Sequence, residues 1–224
     1  MTRWLLVLLA PVVAACGSPS PSTAQPQPQP QPGGIPTGVS RDSASAALVP
    51  PNYGTLRQED VSIGLQQNNV RITAIPLDEN VIRTLAPDSY RALRATLEAK
   101  RQQIMQRAAL RGIREPRVWY VVFTGLAPDA RFNPTDITVT SGGREYRPLD
   151  VIGLSNGFSE QRLQPRETQR GLLVFDEALD VAQPIVVIMG SERNTDWSTD
   201  RSDSILSRIE AERAQIRARA GGRP

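Results

Sequence analysis

Histidine is absent from the 224 residues, and cysteine, lysine and aromatic side chains are scarce. Without histidine the chain has no Ser-His-Asp or Cys-His triad, no histidine-ligated zinc site and no imidazole that titrates near neutral pH. One cysteine cannot form an internal disulfide, so burial must hold the fold together. The apolar run at residues 4–13 is also too short to span a bilayer, because a helical span needs about 20 apolar residues.

The charged residues exclude one class of partner. Lys100 is the only lysine among 26 basic residues, so the other 25 are arginines. Asp and Glu are interspersed with these arginines, and the formal net charge is only +3. No basic stripe suited to a phosphate backbone is evident, so we expect no nucleic-acid partner.

The end of the N-terminal apolar run carries a recognisable pattern. Arg3 precedes the run, and Val13-Ala14-Ala15-Cys16 follows it. This pattern resembles the signal of bacterial lipoproteins, which implies cleavage between Ala15 and Cys16 and acyl chains, such as palmitate, on Cys16. Because two or more acyl chains anchor a protein stably, the resemblance implies a lipid anchor in the cell envelope. With Gly17 directly after the cysteine, the sequence resembles the lipoproteins that are sent to the outer rather than the inner membrane. The alternative interpretation of the whole pattern is an ordinary secretory signal.

Composition divides the rest of the chain into three parts. Residues 16–52, which follow the signal at 1–15, are rich in Pro, Gln, Ser and Gly and predict a disordered tether. A Pro-rich ligand for a binding groove is the other interpretation of this segment. Residues 53–190 are predicted to fold as one β domain, and residues 191–224 as a polar linker followed by an Arg-rich helix. The sequence leaves open whether that last helix packs on the domain.

Short apolar runs between turn residues predict about seven strands in residues 53–190. Val61, Ile63 and Leu65 alternate with polar residues, as do residues 70–74 beyond Asn68-Asn69, which predicts a hairpin. The other predicted strands are residues 118–123, 137–140, 144–147, 172–175 and 185–189. Gly142-Gly143 between the strands at 137–140 and 144–147 predicts a second hairpin. A long helix is predicted at 87–111, from Pro87 to a glycine cap at Gly112, with the apolar stripe Tyr90, Leu93, Leu97, Ile104 and Ala108. We interpret it as an insertion that packs on the sheets, with a partner-binding helix as the alternative.

The second half of the domain resembles the immunoglobulin-like, telokin-like domains of small bacterial lipoproteins. The residues concerned are the strand at 119–123, Gly143-Arg144-Glu145-Tyr146, Leu163-Gln164-Pro165 and the run from Gly171 to Asp176. The resemblance implies a mainly β chain, with an immunoglobulin-like antiparallel β-sandwich that carries a long inserted α-helix and a C-terminal helix. It brings no catalytic residues with it.

Three groups of polar residues could carry chemistry, and each falls short. Asn194, Asp196, Ser198 and Asp200 have the spacing of calcium ligands, but Ile205 stands where the bidentate Glu is needed, so no metal site is predicted. Ser155 lies in a G-x-S-x-G run without any histidine to activate it. The carboxylates of Asp176, Glu177 and Asp180 could serve a hydrolase, although a solvated loop explains them more simply.

The sequence therefore predicts a non-enzymatic lipoprotein that presents a β domain to protein partners of the envelope. It binds no cofactor other than the covalent lipid on Cys16. The alternative is a small-molecule or glycan-binding module on the same domain. For either role we expect the ligand or partner to contact Trp119, Tyr120, Tyr146 and Trp197.

Overall fold

The fold is known from a computed structural model, which describes residue 50 and residues 52–221. The predicted signal, the lipid site at Cys16 and the tether up to residue 49 lie outside these residues. No helix in the part of the chain described is long and apolar enough to cross a membrane.

The described residues form antiparallel sheets with two long helices, which confirms the prediction of a mainly β chain with a C-terminal helix. In chain order the strands are β1 (Ile63–Gln67), β2 (Val70–Pro76), β3 (Arg117–Gly125), β4 (Ala130–Arg131), β5 (Ile137–Ser141), β6 (Arg144–Tyr146), β7 (Asp150–Gly153), β8 (Arg162–Leu163), β9 (Thr168–Phe175), β10 (Ile185–Met189) and β11 (Glu192–Trp197). The helices are α1 (Glu79–Ile82), α2 (Pro87–Ala109) and α3 (Ile205–Gly221), and 3-10 turns cover Gln58–Val61, Pro134–Asp136 and Phe158–Glu160.

The strands form one five-stranded sheet in the order β1-β2-β3-β9-β7 and one four-stranded sheet in the order β11-β10-β5-β6. A short pair, β4 and β8, stands apart. Two hairpins predicted from the sequence are confirmed, β1–β2 and β5–β6. Asn68 and Asn69 join the first hairpin with φ of 48° and 60°, and Gly142 and Gly143 join the second with φ of 55° and 77°. Positive φ at both central residues is the condition for the tight turn that matches strand twist.

Both faces of the five-stranded sheet are covered. Cross-strand partners share a face, so Ile72, Phe123 and their neighbours lie on one side of the sheet, where the residues of β3 beyond Arg117 are buried. Inward residues of the four-stranded sheet, such as Val139 and Val187, belong to the same hydrophobic cluster. Tyr120 lies on the other side of the sheet. The helix α2 lies on that same side, as the hydrogen bond from its Arg107 to Asp150 of β7 shows.

The long helix agrees closely with its prediction. It runs from Pro87 to Ala109, and Gly112 follows it in the left-handed conformation with φ of 76°. Its apolar stripe faces the protein: Leu93, Ile104 and Ala108 are buried, while Tyr90 and Leu97 pack against the core.

The polar linker predicted after residue 190 is wrong for the segment that forms β11. Glu192–Trp197 pairs with β10 at the edge of the four-stranded sheet. Only Trp197 among its residues is buried, so the strand lacks the alternating pattern that would have marked it in the sequence. Four strands were missed in total, namely β4, β7, β8 and β11, and Val61 lies in a 3-10 turn rather than in the first strand.

The C-terminal helix packs on the domain, which the sequence left open. Ile205, Leu206 and Ile209 are buried, and Ser204 caps the first turn by accepting from the Ser207 N–H. The Glu212 carboxylate is 4% exposed and binds the segment where the chain enters the domain. It accepts hydrogen bonds of 3.0 Å from the Thr55 backbone N–H, the Thr55 hydroxyl and Arg219.

We expect Glu212→Ala to lower the free energy of unfolding by about 2–4 kcal/mol, because it leaves a partly buried Arg219 and two Thr55 donors without their acceptor. Urea unfolding monitored by circular dichroism measures the change. The matched control is Glu210→Ala on the exposed side of the same helix, for which we expect a change within about 0.5 kcal/mol. Equal losses in the two variants would contradict the role assigned to Glu212.

Candidate functional site

A hollow lined by apolar and charged residues lies between α2 and the ends of the strands β2 and β3. We call it the helix cleft; its volume is about 440 Å³. Its floor is apolar and includes Leu97, Ile104, Val118 and Trp119, and Met105 lies exposed at its edge. Its rim carries eight charged residues, namely Arg94, Arg101, Arg114, Arg117, Asp78, Glu79, Glu98 and Glu115. Four positive and four negative side chains give the rim a formal charge of zero.

The helix cleft forms because the chain leaves the sheet at the end of β2 and returns to the same end of the sheet at the start of β3. Strand β2 ends at Pro76, and the next residue, Leu77, donates its N–H to the Val118 carbonyl at 2.8 Å. The chain then turns through α1, runs the length of α2 and returns to start β3 at Arg117. The apolar stripe of α2 therefore lies opposite the start of β3, with charged residues of both segments around the opening.

Glu79 connects the two helices on one side of the helix cleft. Its carboxylate accepts from Arg83 at 2.6 Å, from the Tyr90 hydroxyl at 2.8 Å and from Arg94 at 3.1 Å. Arg94 also pairs with Glu98 at 2.9 Å, and Glu98 pairs more loosely with Arg101 at 3.6 Å. The rim along α2 is thus a chain of alternating charges.

These contacts change how two of the groups titrate. Burial on its own raises the pKa of Glu79, but hydrogen bonds from Tyr90 and Arg83 and the charges of Arg83 and Arg94 outweigh it, so the pKa lies below its ordinary value. The pKa of the Tyr90 phenol is raised, first by burial and then by its hydrogen bond to Glu79. Both groups therefore keep their neutral-pH charge, with Tyr90 as a donor.

Arg117 and Asp78 form a much looser pair on the other side of the helix cleft. Arg117 Nη1 lies 3.4 Å from an Asp78 oxygen, and Arg117 Nε lies 3.4 Å from the Glu177 carbonyl. The usual N–H···O distance is about 2.7–3.2 Å, so both contacts are weak. The other Asp78 oxygen caps α1 by accepting from the Asn80 N–H at 2.9 Å.

Arg117 and Asp78 also belong to a second, smaller hollow. We call it the end hollow; its volume is about 230 Å³ and its apolar residues include Leu206 and Ile209 of α3. Arg117, Asp78 and Val181 line both hollows. The loose ion pair therefore lies between the helix cleft and the end hollow.

Trp119, one of the four predicted contact residues, lies in the floor of the helix cleft. It is fully buried, and its ring centroid is 5.4 Å from that of Phe175. Its indole Nε1–H has no acceptor among the described residues. An indole N–H can only donate, so this group would gain from an acceptor oxygen.

The structure does not bring the other three predicted contact residues to the helix cleft. Trp197 is fully buried, and its Nε1–H donates to the Val181 carbonyl at 3.0 Å, so it has no surface to offer a partner. Tyr146 is only 8% exposed, with its hydroxyl donating to the Ala178 carbonyl. Tyr120 is half-buried beside Lys100 and Arg170 in a shallow hollow under α2, and burial raises its pKa.

The carboxylates that the sequence offered for hydrolysis serve the backbone. Asp176 accepts from the Ala178 N–H, Asp180 from the Ala182 N–H, and Glu177 from the N–H groups of Arg114 and Glu115. These bonds hold the loop between β9 and β10, in agreement with the simpler interpretation.

The other two groups singled out in the sequence are placed as follows. The Ser155 hydroxyl accepts from the Arg170 N–H. Asn194 and Asp196 bond to each other within β11. Among residue 50 and residues 52–221 there is no group of three or more carboxylates or thiols that could hold a metal ion.

Sequence reasoning missed the charged residues of the rim. The pair Arg94–Glu98 has the i, i+4 spacing of helical ion pairs and could have been found that way. Asp78 and Arg117 are 39 residues apart, so no local spacing joins them. Only the return of the chain to the same sheet end brings them together.

The Glu79 contacts make a prediction about pH. Because the pKa of folded Glu79 is below its unfolded value, its contribution is complete above the unfolded pKa and is lost as pH falls through the folded pKa. Glu79→Gln should lower the free energy of unfolding by about 1 kcal/mol or less at pH 7, since the side chain is 38% exposed. The difference from the wild type should shrink as the pH is lowered to about 3.

Urea unfolding at several pH values measures this difference. The control is Glu192→Gln, an exposed carboxylate on β11 with no ion pair among the residues described. A gap between wild type and Glu79→Gln that stays constant down to pH 3 would contradict the prediction.

Comparison with protein-family models, with curated proteins and with solved structures finds no match to this chain. A function for the helix cleft therefore has to be inferred from its own lining. That lining combines an apolar floor with a charged rim, in which the Arg117 guanidinium lies beside Val118 and Trp119 and is only weakly bonded.

Proposed function

We propose that this protein is a non-enzymatic, lipid-anchored binding module of the cell envelope and that it engages a protein partner at the helix cleft. The observation that carries the proposal is the helix cleft itself. An apolar floor of side chains from α2 and β3 lies beside a neutral rim, and Met105 at its edge is 43% exposed. A depression of this kind suits an apolar side chain of a partner, with polar groups around it.

The anchor is the second part of the proposal and depends on Val13-Ala14-Ala15-Cys16. Acyl chains on Cys16 would hold the chain on a membrane, the outer one in our proposal, and the Pro-rich tether would separate the domain from the lipid surface. The described domain needs no membrane contact in this arrangement, and α2 is free to meet envelope proteins.

We further propose that the two sheets form an immunoglobulin-like β-sandwich. Buried residues of both sheets belong to one hydrophobic cluster, which supports face-to-face packing. The edges of the two sheets also meet at one side, where the Asn194 side chain donates to the Gly64 carbonyl of β1 at 3.0 Å. In this arrangement α2 covers the outer face of one sheet.

A photo-crosslinking amino acid at Met105 tests the proposed partner site in intact cells. We expect a discrete adduct with an envelope protein, identified by mass spectrometry, because Met105 lies at the edge of the helix cleft. The matched control is the same amino acid at Gln102, which is exposed on α2 but outside the lining. Absence of an adduct from position 105, or the same adducts from both positions, would contradict the proposal.

Cys16→Ala tests the anchor independently. We expect this variant to lack acyl chains and to leave the membrane fraction, because the sulfur is the proposed site of the lipid. Mass spectrometry of the mature N-terminus and membrane fractionation measure the two effects. A wild-type protein with a free Cys16 thiol would contradict the anchor without affecting the helix cleft.

One observation favours a second candidate, a small-molecule ligand. The helix cleft has the volume of small-molecule sites, which is about 300–1,000 Å³. Glycans usually stack on exposed aromatic rings, whereas Trp119 is fully buried, so an apolar small molecule fits the lining better than a glycan.

A further inference from the structure

The donors of the helix cleft are not used equally. Arg94 bonds to Glu79 and Glu98 at 3.1 and 2.9 Å, so its guanidinium is well bonded. Within the part of the chain that the structure describes, Arg117 has two contacts, both of 3.4 Å, although a guanidinium offers five N–H donors. Its side chain is 39% exposed, so a ligand can reach it.

The charged acceptor of Arg117, Asp78, also caps the helix α1. One of its oxygens caps α1, and the side chain is only 15% exposed, so it has little freedom to approach Arg117 more closely. A carboxylate that arrives from outside can take up the bidentate geometry that a guanidinium prefers. Such a ligand would compete with Asp78 and would form the stronger pair.

Apolar surface lies directly beside this guanidinium. Val118 and Trp119 follow Arg117 in β3, and Leu97 and Ile104 of α2 complete the floor of the helix cleft. Trp119 is fully buried, so its Nε1–H is not open to a ligand, and the Arg117 guanidinium is the donor that a ligand can reach. A charged donor next to an apolar floor selects a ligand with an acidic group attached to an apolar body.

We propose that Arg117 is the acid-binding residue of the helix cleft and that the cleft takes an amphipathic carboxylate. The acid group replaces Asp78 as the partner of Arg117, and the apolar body lies over Leu97, Ile104 and Val118. This inference rests on the proposed function for the site of binding, and it adds the chemistry that is recognised there.

Calorimetric titration with octanoate and with octanamide tests the proposal, since the two probes have the same chain and differ in charge. The protein is the full mature chain from residue 16 with Cys16→Ser, so that no acyl chain of the protein competes for the helix cleft. We expect octanoate to bind about tenfold or more tightly than octanamide, as a charge-assisted pair requires.

Two variants give opposite expectations. Arg117→Gln should weaken octanoate binding by about tenfold or more and leave octanamide unchanged. Asp78→Asn should strengthen octanoate binding several-fold, because it removes the competing charge while asparagine still caps α1. A purely structural role for the pair would not produce a gain in one variant and a loss in the other. Arg193→Gln on β11, an exposed arginine away from the helix cleft, is the matched control and should bind as the wild type does.

The Asp78→Asn variant keeps the test valid if Arg117→Gln fails to fold. Trp119 and Trp197 are the only tryptophans of the mature chain, so their two indole N–H resonances report on the site. Octanoate should shift the Trp119 resonance more than that of Trp197. Equal affinity of wild type and Arg117→Gln, or no gain in Asp78→Asn, would overturn the inference. If octanoate does not bind while Met105 still crosslinks to a partner, the inference fails and the proposed function stands.

Discussion

The five-stranded sheet needs cover on both faces, and the rest of the structure follows from that constraint. Strand β3 lies at its centre between β2 and β9, and one face of β3 is buried from Trp119 to Gly125. The opposite face would expose Val118, Tyr120 and Leu172 if nothing covered it. The helix α2 supplies that cover with its apolar stripe, at a gain of about 25 cal/mol for each Å² of apolar surface removed from water.

The helix cleft is a consequence of how this cover ends. Towards the start of β3 the stripe of α2 contributes Leu97 and Ile104, and exposed Met105 and charged residues surround them. The alternating charges of Glu79, Arg94 and Glu98 are exposed to water and also pair with one another, so they keep the opening polar.

The two acidic residues at the start of α1, Asp78 and Glu79, differ in the lengths of their hydrogen bonds to arginine. Glu79 accepts three hydrogen bonds of 2.6–3.1 Å and connects α1 with α2. Asp78 uses one oxygen to cap α1, and its other oxygen lies 3.4 Å from Arg117. A tightly bonded guanidinium has few N–H donors left for a ligand, whereas a loosely bonded one beside an apolar floor can still donate to a ligand. Glu212, like Glu79, has a structural role, because its hydrogen bonds connect two segments of the protein.

Local patterns in the sequence were sufficient for the elements whose signal is local. The hairpin at Asn68-Asn69, the glycine hairpin at Gly142-Gly143 and the helix that begins at Pro87 each follow from turn chemistry or apolar period, and the structure confirms them. Strand β11 was missed because five of its six residues are polar or charged, so it has no apolar alternation. Trp119 was singled out from its residue type alone, which could not say that it would lie in a floor while Trp197 would lie in the core. The proximity of Asp78 to Arg117, and of Glu212 to Thr55, was decided by tertiary structure only, because contacts between distant residues exist only after the chain returns to the same place.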